Sequence, residues 1–237
     1  SLEGLFPDQT SKRLASQQEL ANVESAKHFL EVACSSAIPS GDQVHAVATY
    51  KDGQSSDSDS SDGLASDKKA PVLTLEERDF SGNLSDCEDM KHNFSGTIGG
   101  SFSILITARW DAFPHWGTLL DFGSGAPQDN IVIANQANTN TLAFEIYRGF
   151  SQRYRLTVPG AIRLGQMDTY LFMVSEQGLM RIYRDGEIIG EQKTDLRPSP
   201  VKKRKYLYVG KSCFDQRAPF QGRVQELKVW TGIAFEW

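Results

Sequence analysis

From about residue 70 onward, apolar and polar positions alternate in short runs separated by glycine turns. Phe102, Ile104, Ile106, Ala108 and Trp110 alternate with Ser103, Leu105, Thr107 and Arg109. That is the two-residue period of a strand with one row turned to a core. Pro71–Leu75, Thr118–Phe122, Asn130–Ala134, Thr141–Tyr147 and Arg153–Val158 read as further strands, with turns at Gly123–Gly125 and Asn138–Asn140. Tyr170–Val174 and Leu179–Arg184 form a hairpin through Ser175–Gly178, and Asp185-Gly186 reverses the chain into Glu187–Gly190. Tyr206–Gly210 and Phe220–Trp230 close the series. Many short β-branched and aromatic runs divided by such turns predict an all-β, antiparallel sandwich.

The first 69 residues break this pattern. Ser16 and Glu19 are spaced as a capping box, and Leu20, Val23, Leu30 and Cys34 recur at near-helical spacing behind it. A helix is therefore expected over about residues 17–33. Val44–Tyr50 reads as a strand stopped by Asp52-Gly53. Residues 54–63 hold only polar, acidic and glycine positions, so 54–69 is taken as a solvated linker. Asp57, Asp59 and Asp62 fall out of register for a calcium-binding loop. The expected organisation is an N-terminal extension over 1–53, the linker, and a sandwich domain over 70–237.

Composition narrows the function classes. A net charge of −5 over 237 residues argues against a surface dedicated to nucleic acid. No run approaches the roughly 18 apolar residues of a membrane-spanning helix, so a soluble or peripheral chain is expected. With no initiator Met and no leader pattern, Ser1 is read as a processed end or an artificial boundary. Three cysteines, Cys34, Cys87 and Cys213, are too few for a disulfide scaffold. The histidines His28, His45, His92 and His115 lack metal-ligand spacing. No strand carries the paired carboxylates of a glycoside hydrolase: Glu76–Asp79 has the wrong order and Glu145 stands alone on its strand. A non-enzymatic protein is expected.

The succession from the Gly178 turn through Tyr183-Arg-Asp-Gly186 and Tyr206–Gly210 to Phe220–Trp230 resembles the laminin G-like, concanavalin-type jelly roll. The resemblance covers about Val72 to Trp230. Standard laminin G modules place a cysteine just after the Phe-x-Gly of the closing strand; here Phe220-Gln-Gly222 is followed by Arg223. The chain is thus similar to the broader concanavalin-like branch. The resemblance implies that the first and last strands of the sandwich are neighbours, which brings the strand ends near Phe80 and Gly222 together and makes Cys87–Cys213 the expected disulfide. It also implies calcium as a candidate cofactor, with Asp129 supplying a carboxylate and Asp215 or nearby carbonyls completing the shell.

Two further constellations are candidate ligand sites. Lys202, Lys203, Arg204 and Lys205, with Arg197 nearby, form a basic loop suited to a sulfated or phosphorylated polyanion, against the alternative of a solvated loop. Phe113, His115 and Trp116 follow Trp110, itself a core residue, and could offer an aromatic surface to a sugar or a partner, or be buried under the sheet. Asn83 and Asn93 begin N-glycosylation sequons, in keeping with a secreted or lumenal compartment. The expected function is recognition of a glycan or protein partner through the sandwich rim. The alternative is a structural or accessory subunit of a larger assembly, at a membrane or not, held by the sandwich and the N-terminal extension.

Overall fold

The computed structural model describes residues 70–94, 96–200 and 203–231. The helix expected over 17–33, the strand over 44–50, the linker, Cys34 and Lys202 lie outside these residues. The thirteen strands are β1 (Leu73–Leu75), β2 (Arg78–Ser81), β3 (Glu88–Asp89), β4 (Phe102–Trp110), β5 (Thr118–Gly123), β6 (Ile131–Asn135) and β7 (Leu142–Arg148). They continue as β8 (Gln152–Val158), β9 (Met167–Val174), β10 (Leu179–Arg184), β11 (Glu187–Lys193), β12 (Tyr206–Val209) and β13 (Gln221–Thr231). Two short 3-10 turns, Leu84–Asp86 and Met90–His92, complete the elements.

Two antiparallel sheets face one another. One has the order β1-β13-β4-β9-β10-β11, with β2 also pairing β13; the other runs β3-β12-β5-β6-β7-β8. The first and last strands are neighbours as expected, β1 pairing β13, and Phe80 of β2 lies directly opposite Gly222. Between the sheets the alternating row of β4 is fully buried, and aromatic rings from both sheets lock edge to face. Phe144 of β7 meets Phe172 of β9 at 5.4 Å and Phe102 of β4 at 6.2 Å. Trp110 meets Phe220 at 5.3 Å and Tyr170 at 5.7 Å. Offset and perpendicular ring pairs of this kind add to the stabilisation from apolar area removed from water.

The second row of β4 differs from expectation. Ser103, Leu105 and Thr107 are as buried as the core row. β4 lies in the sheet interior between β13 and β9, and on this row Thr107 bonds Thr169 of β9 hydroxyl to hydroxyl at 3.0 Å. Alternation along a strand tells the two faces apart but does not say that either is wet.

The Arg-Asp-Gly turn after β10 is an anchor. Asp185 takes a left-handed backbone, φ 52°, and its carboxylate accepts from the Thr169 amide at 3.0 Å and from Arg163 at 2.7 Å. Arg163 also grips the buried Asp168, whose other contact is the Tyr170 hydroxyl at 3.0 Å. The motif that makes this stretch recognisable therefore ties β9, β10 and the preceding loop into one corner.

Candidate functional site

The inner face of β5 to β8 fills the core, so the residues between project from the opposite face of the six-stranded sheet. Strand register sets them in one line: Asp89 on β3, Tyr208 on β12, Asp121 on β5, Val132 on β6, Glu145 on β7 and Arg155 on β8. Tyr147 and Arg153 form the next pair along β7 and β8. Glu145 is completely buried although it lies on this outward face. What covers it is the connection between β12 and β13, which folds back across the sheet.

That connection is held at both ends by carboxylates. Asp121 accepts from the Ser212 hydroxyl at 2.7 Å and the Cys213 amide at 2.8 Å, while Asn130 donates to its other oxygen at 2.6 Å. At the far end Arg217 donates to one oxygen of Glu145 and Arg155 to the other. Between them Phe214 packs against Tyr147, ring centroids 5.4 Å apart. The Ala218 amide then bonds the His115 carbonyl at 2.9 Å, joining the connection to the His115–Trp116 segment.

Trp116 sits where these pieces meet. The Arg155 guanidinium lies 4.5 Å from its ring centroid and the Arg217 guanidinium 5.0 Å, a paired cation–π arrangement. Arg217 also lies 4.7 Å over the Phe214 ring. Its side chain is only 8% exposed, yet Nη1 finds no hydrogen-bond partner among the described residues. Arg153, exposed, lies 6.0 Å over the Tyr147 ring. Burial pushes the Tyr147 hydroxyl above its ordinary range, with Glu145 adding to the effect. Arg153, Arg155 and Arg217 thus gather beside the partly exposed Trp116 and Phe214 rings, with the Glu145 carboxylate buried among them. Such a surface can hold an anionic group on its cations while an apolar face rests on a ring.

A laminin G family model, described as the concanavalin A-like lectin/glucanases superfamily, matches residues 88–234. The chain belongs to this superfamily. The fold is similar to the CBM40 of Ruminococcus gnavus IT-sialidase, solved bound to alpha2,3 sialyllactose, at 15% identity and TM-score 0.57 over 69% of this chain and 94% of that one. It is also similar to the NanB sialidase of Streptococcus pneumoniae, at 15% identity and TM-score 0.56, over 68% of this chain and 26% of that one. The leech intramolecular trans-sialidase matches at 14% identity and TM-score 0.54, over 69% and 26%. The chain thus spans about a quarter of the length of these two sialidases. No curated protein matches.

The residues singled out in the sequence have separate fates. Trp116 joins the cluster above, His115 stands beside it with Nδ1 3.2 Å from Asn138 Oδ1, and Phe113 packs against the core. Arg204 is not a surface cation: it is 4% exposed, and its guanidinium donates to the carbonyls of Phe122, Asp129, Ile98 and Ser199. Burial lowers its pKa to about 10. A planar group with five donors is suited to collecting the unpaired carbonyls of three loops. Lys203, Lys205 and Arg197 are exposed, with Lys205 lying 5.0 Å over Tyr206.

Asp129 serves its own turn. It adopts φ 55°, and its carboxylate accepts from the Gly149 amide at 2.8 Å. Asp215 is exposed, and among the described residues no three His, Cys, Asp or Glu side chains are grouped to hold a metal ion. Cys87 and Cys213 are free thiols, so the expected bridge is not formed. Cys87 turns to the Gly210 carbonyl at 3.2 Å, whereas Cys213 follows Asp121 onto the outer face. Neighbouring strands bring the segments together but leave the thiols with different partners. Asn83 and Asn93 are both exposed.

Sequence reasoning missed Glu145, Arg155, Arg217 and Asp121. For the first two a signal existed. Counting outward from the Gly149 turn pairs Glu145 with Arg155 and Tyr147 with Arg153 on one face. Arg217 carries no such signal, since only the folded-back connection delivers it.

Proposed function

We propose that this chain is a non-catalytic recognition module that binds an acidic glycan of the sialic acid type on the outer face of its six-stranded sheet. The observation that carries the reading is the Trp116 ring lying against both the Arg155 and the Arg217 guanidiniums, with Arg217 Nη1 left unpartnered among the described residues though its side chain is nine-tenths buried. A buried donor without a partner costs free energy, and an acceptor brought beside it would recover that cost. Trp116 also holds a left-handed backbone, φ 52°, a strained state for an aromatic residue of the kind that gathers at binding sites. A sugar carboxylate would take the guanidiniums, and the sugar's apolar face would rest on Trp116 or Phe214. The likeness in fold to a module solved with sialyllactose supports the choice of sugar. The exposed sequon asparagines Asn83 and Asn93 are consistent with work outside the cytosol.

Calorimetric titration with 3′-sialyllactose and with lactose tests this. Binding to the first alone is expected. Trp116→Ala and Arg155→Ala should each weaken it by on the order of tenfold or more, the worth of one cation–π or charged hydrogen bond. Equal binding of the two sugars, or of neither, would remove the reading.

A further inference from the structure

The outer face of the seven-stranded sheet is apolar where an antiparallel face turned to water is normally polar. Register sets Leu105, Leu171 and Tyr183 in one line across β4, β9 and β10, and Trp230 and Met173 on either side of Ser103 in the next. None of these side chains belongs to the core between the sheets. Leu105, Leu171, Met173, Tyr183 and Trp230 nevertheless keep only 2% to 5% of their surface in water. Neighbours on one sheet face shield each other's flanks and not their tips, so burial this deep calls for a third layer. Ile188, opposite Tyr183 on the edge strand β11, is 52% exposed, which marks where that layer ends.

Among the described residues, no strand or 3-10 turn supplies it. Every strand lies in one of the two facing sheets; one 3-10 turn buries no residue, and the other sends Met90 into the core. The apolar loop residues Phe94, Ala161, Ile162 and Leu196 also pack between the sheets. The cations at the margin, Arg181 and Lys228, are already paired with Glu191 and Glu226. The face therefore selects an apolar stripe over an acidic one.

We propose that the chain's own N-terminal segment is this layer, the helix expected over about residues 17–33 lying across β13, β4, β9 and β10. Residue 70 leads into β1, which pairs with β13 at one edge of this same sheet, so the preceding chain is delivered beside the face. The expected helix carries Leu20, Val23 and Leu30 on one side, with Cys34 at its end, and Glu24, His28 and Glu31 on the other. About 17 residues of helix extend roughly 25 Å, against roughly 14 Å between the axes of β13 and β10, so one helix suffices. The composition break near residue 70 then divides the sequence and not the folded unit.

Photo-methionine incorporated into the full chain tests this, because it keeps nearly the shape of Met and its carbene captures only what it touches. In the monomer band of a denaturing gel, peptide mass spectrometry should find Met173 joined to a peptide from residues 17–34. The core residues Met90 and Met180 serve as capture controls in the same sample. With those controls captured, Met173 joined to residues 232–237, to a second chain, to a described loop or to nothing would overturn the assignment. Alkylation of Cys34 gives a second measurement, since a covered thiol reacts only through local opening. It should be at least on the order of tenfold slower in the wild type than in a Leu20→Glu, Val23→Glu double variant, which leaves every residue of the two sheets unchanged. Equal rates in the two proteins would overturn the assignment as well. Neither readout involves the sugar site, so that reading stands or falls separately.

Discussion

Glu145 and Arg155 face each other across the β7–β8 pair, and the Glu145 oxygen that Arg155 leaves free is taken by Arg217 from 72 residues away in sequence. The carboxylate is fully buried, while the side chains of Arg155 and Arg217 are 24% and 8% exposed. Removing the shared partner strands two cations against aromatic rings. Glu145→Ala should destabilise the domain by about 3 kcal/mol, in the range for breaking a buried ion pair on one side. Urea denaturation monitored by fluorescence measures this, and an unchanged midpoint would contradict it.

Arg204 should behave as a core residue despite its basic neighbours. Arg204→Ala removes the donor from several carbonyls at once and should cost about 2–4 kcal/mol. Lys203→Ala and Lys205→Ala, on exposed side chains, should stay within about 0.5 kcal/mol of wild type. Thermal melts of the three variants make the comparison. A polyanion-binding loop would give the reverse pattern, with small stability changes and loss of anion binding throughout.

Asp129→Ala should lower the melting temperature through loss of the Gly149 contact and of a residue that tolerates its left-handed turn, an effect of about 1 kcal/mol. The drop should be the same in calcium and in chelator. A wild-type melting temperature that climbs with calcium while the variant's does not would give Asp129 the ligand role implied by the family resemblance, because a ion bound only by the folded state stabilises it by mass action.

Burial raises the Cys87 thiol above its usual range and pushes Cys213 up to about 12, with Asp121 adding to the second effect. The thiolate is the reactive form, so both should resist iodoacetamide at about pH 8 in the folded protein and react on unfolding. Peptide mass spectrometry reads each site separately. A bridged Cys87–Cys213 peptide would restore the disulfide that the family resemblance implies.

How much was legible beforehand follows from the range of the forces involved. Strand positions, the Ser175–Gly178 hairpin and the Asp185-Gly186 turn depend on neighbours a few residues apart, and alternation together with glycine placement encodes them locally. The pairing of the first and last strands was reached only through family resemblance. Glu145 and Arg155 stood within one hairpin and could have been paired by counting, but a lone glutamate on a strand gave no reason to count.

The sequence by itself determined the sandwich, its hairpins and the inward row of β4, because period and turn chemistry need no knowledge of distant contacts. Only the tertiary structure decided which charges are buried. Arg204 and Lys205 are adjacent and alike in sequence, yet one gathers carbonyls from three loops and the other lies at the surface. Arg217 reads as a loop cation until the β12–β13 connection folds across the sheet and lays it against Trp116. The cost of burying a charge depends on every group that surrounds it, and those groups come from strands far apart in the chain.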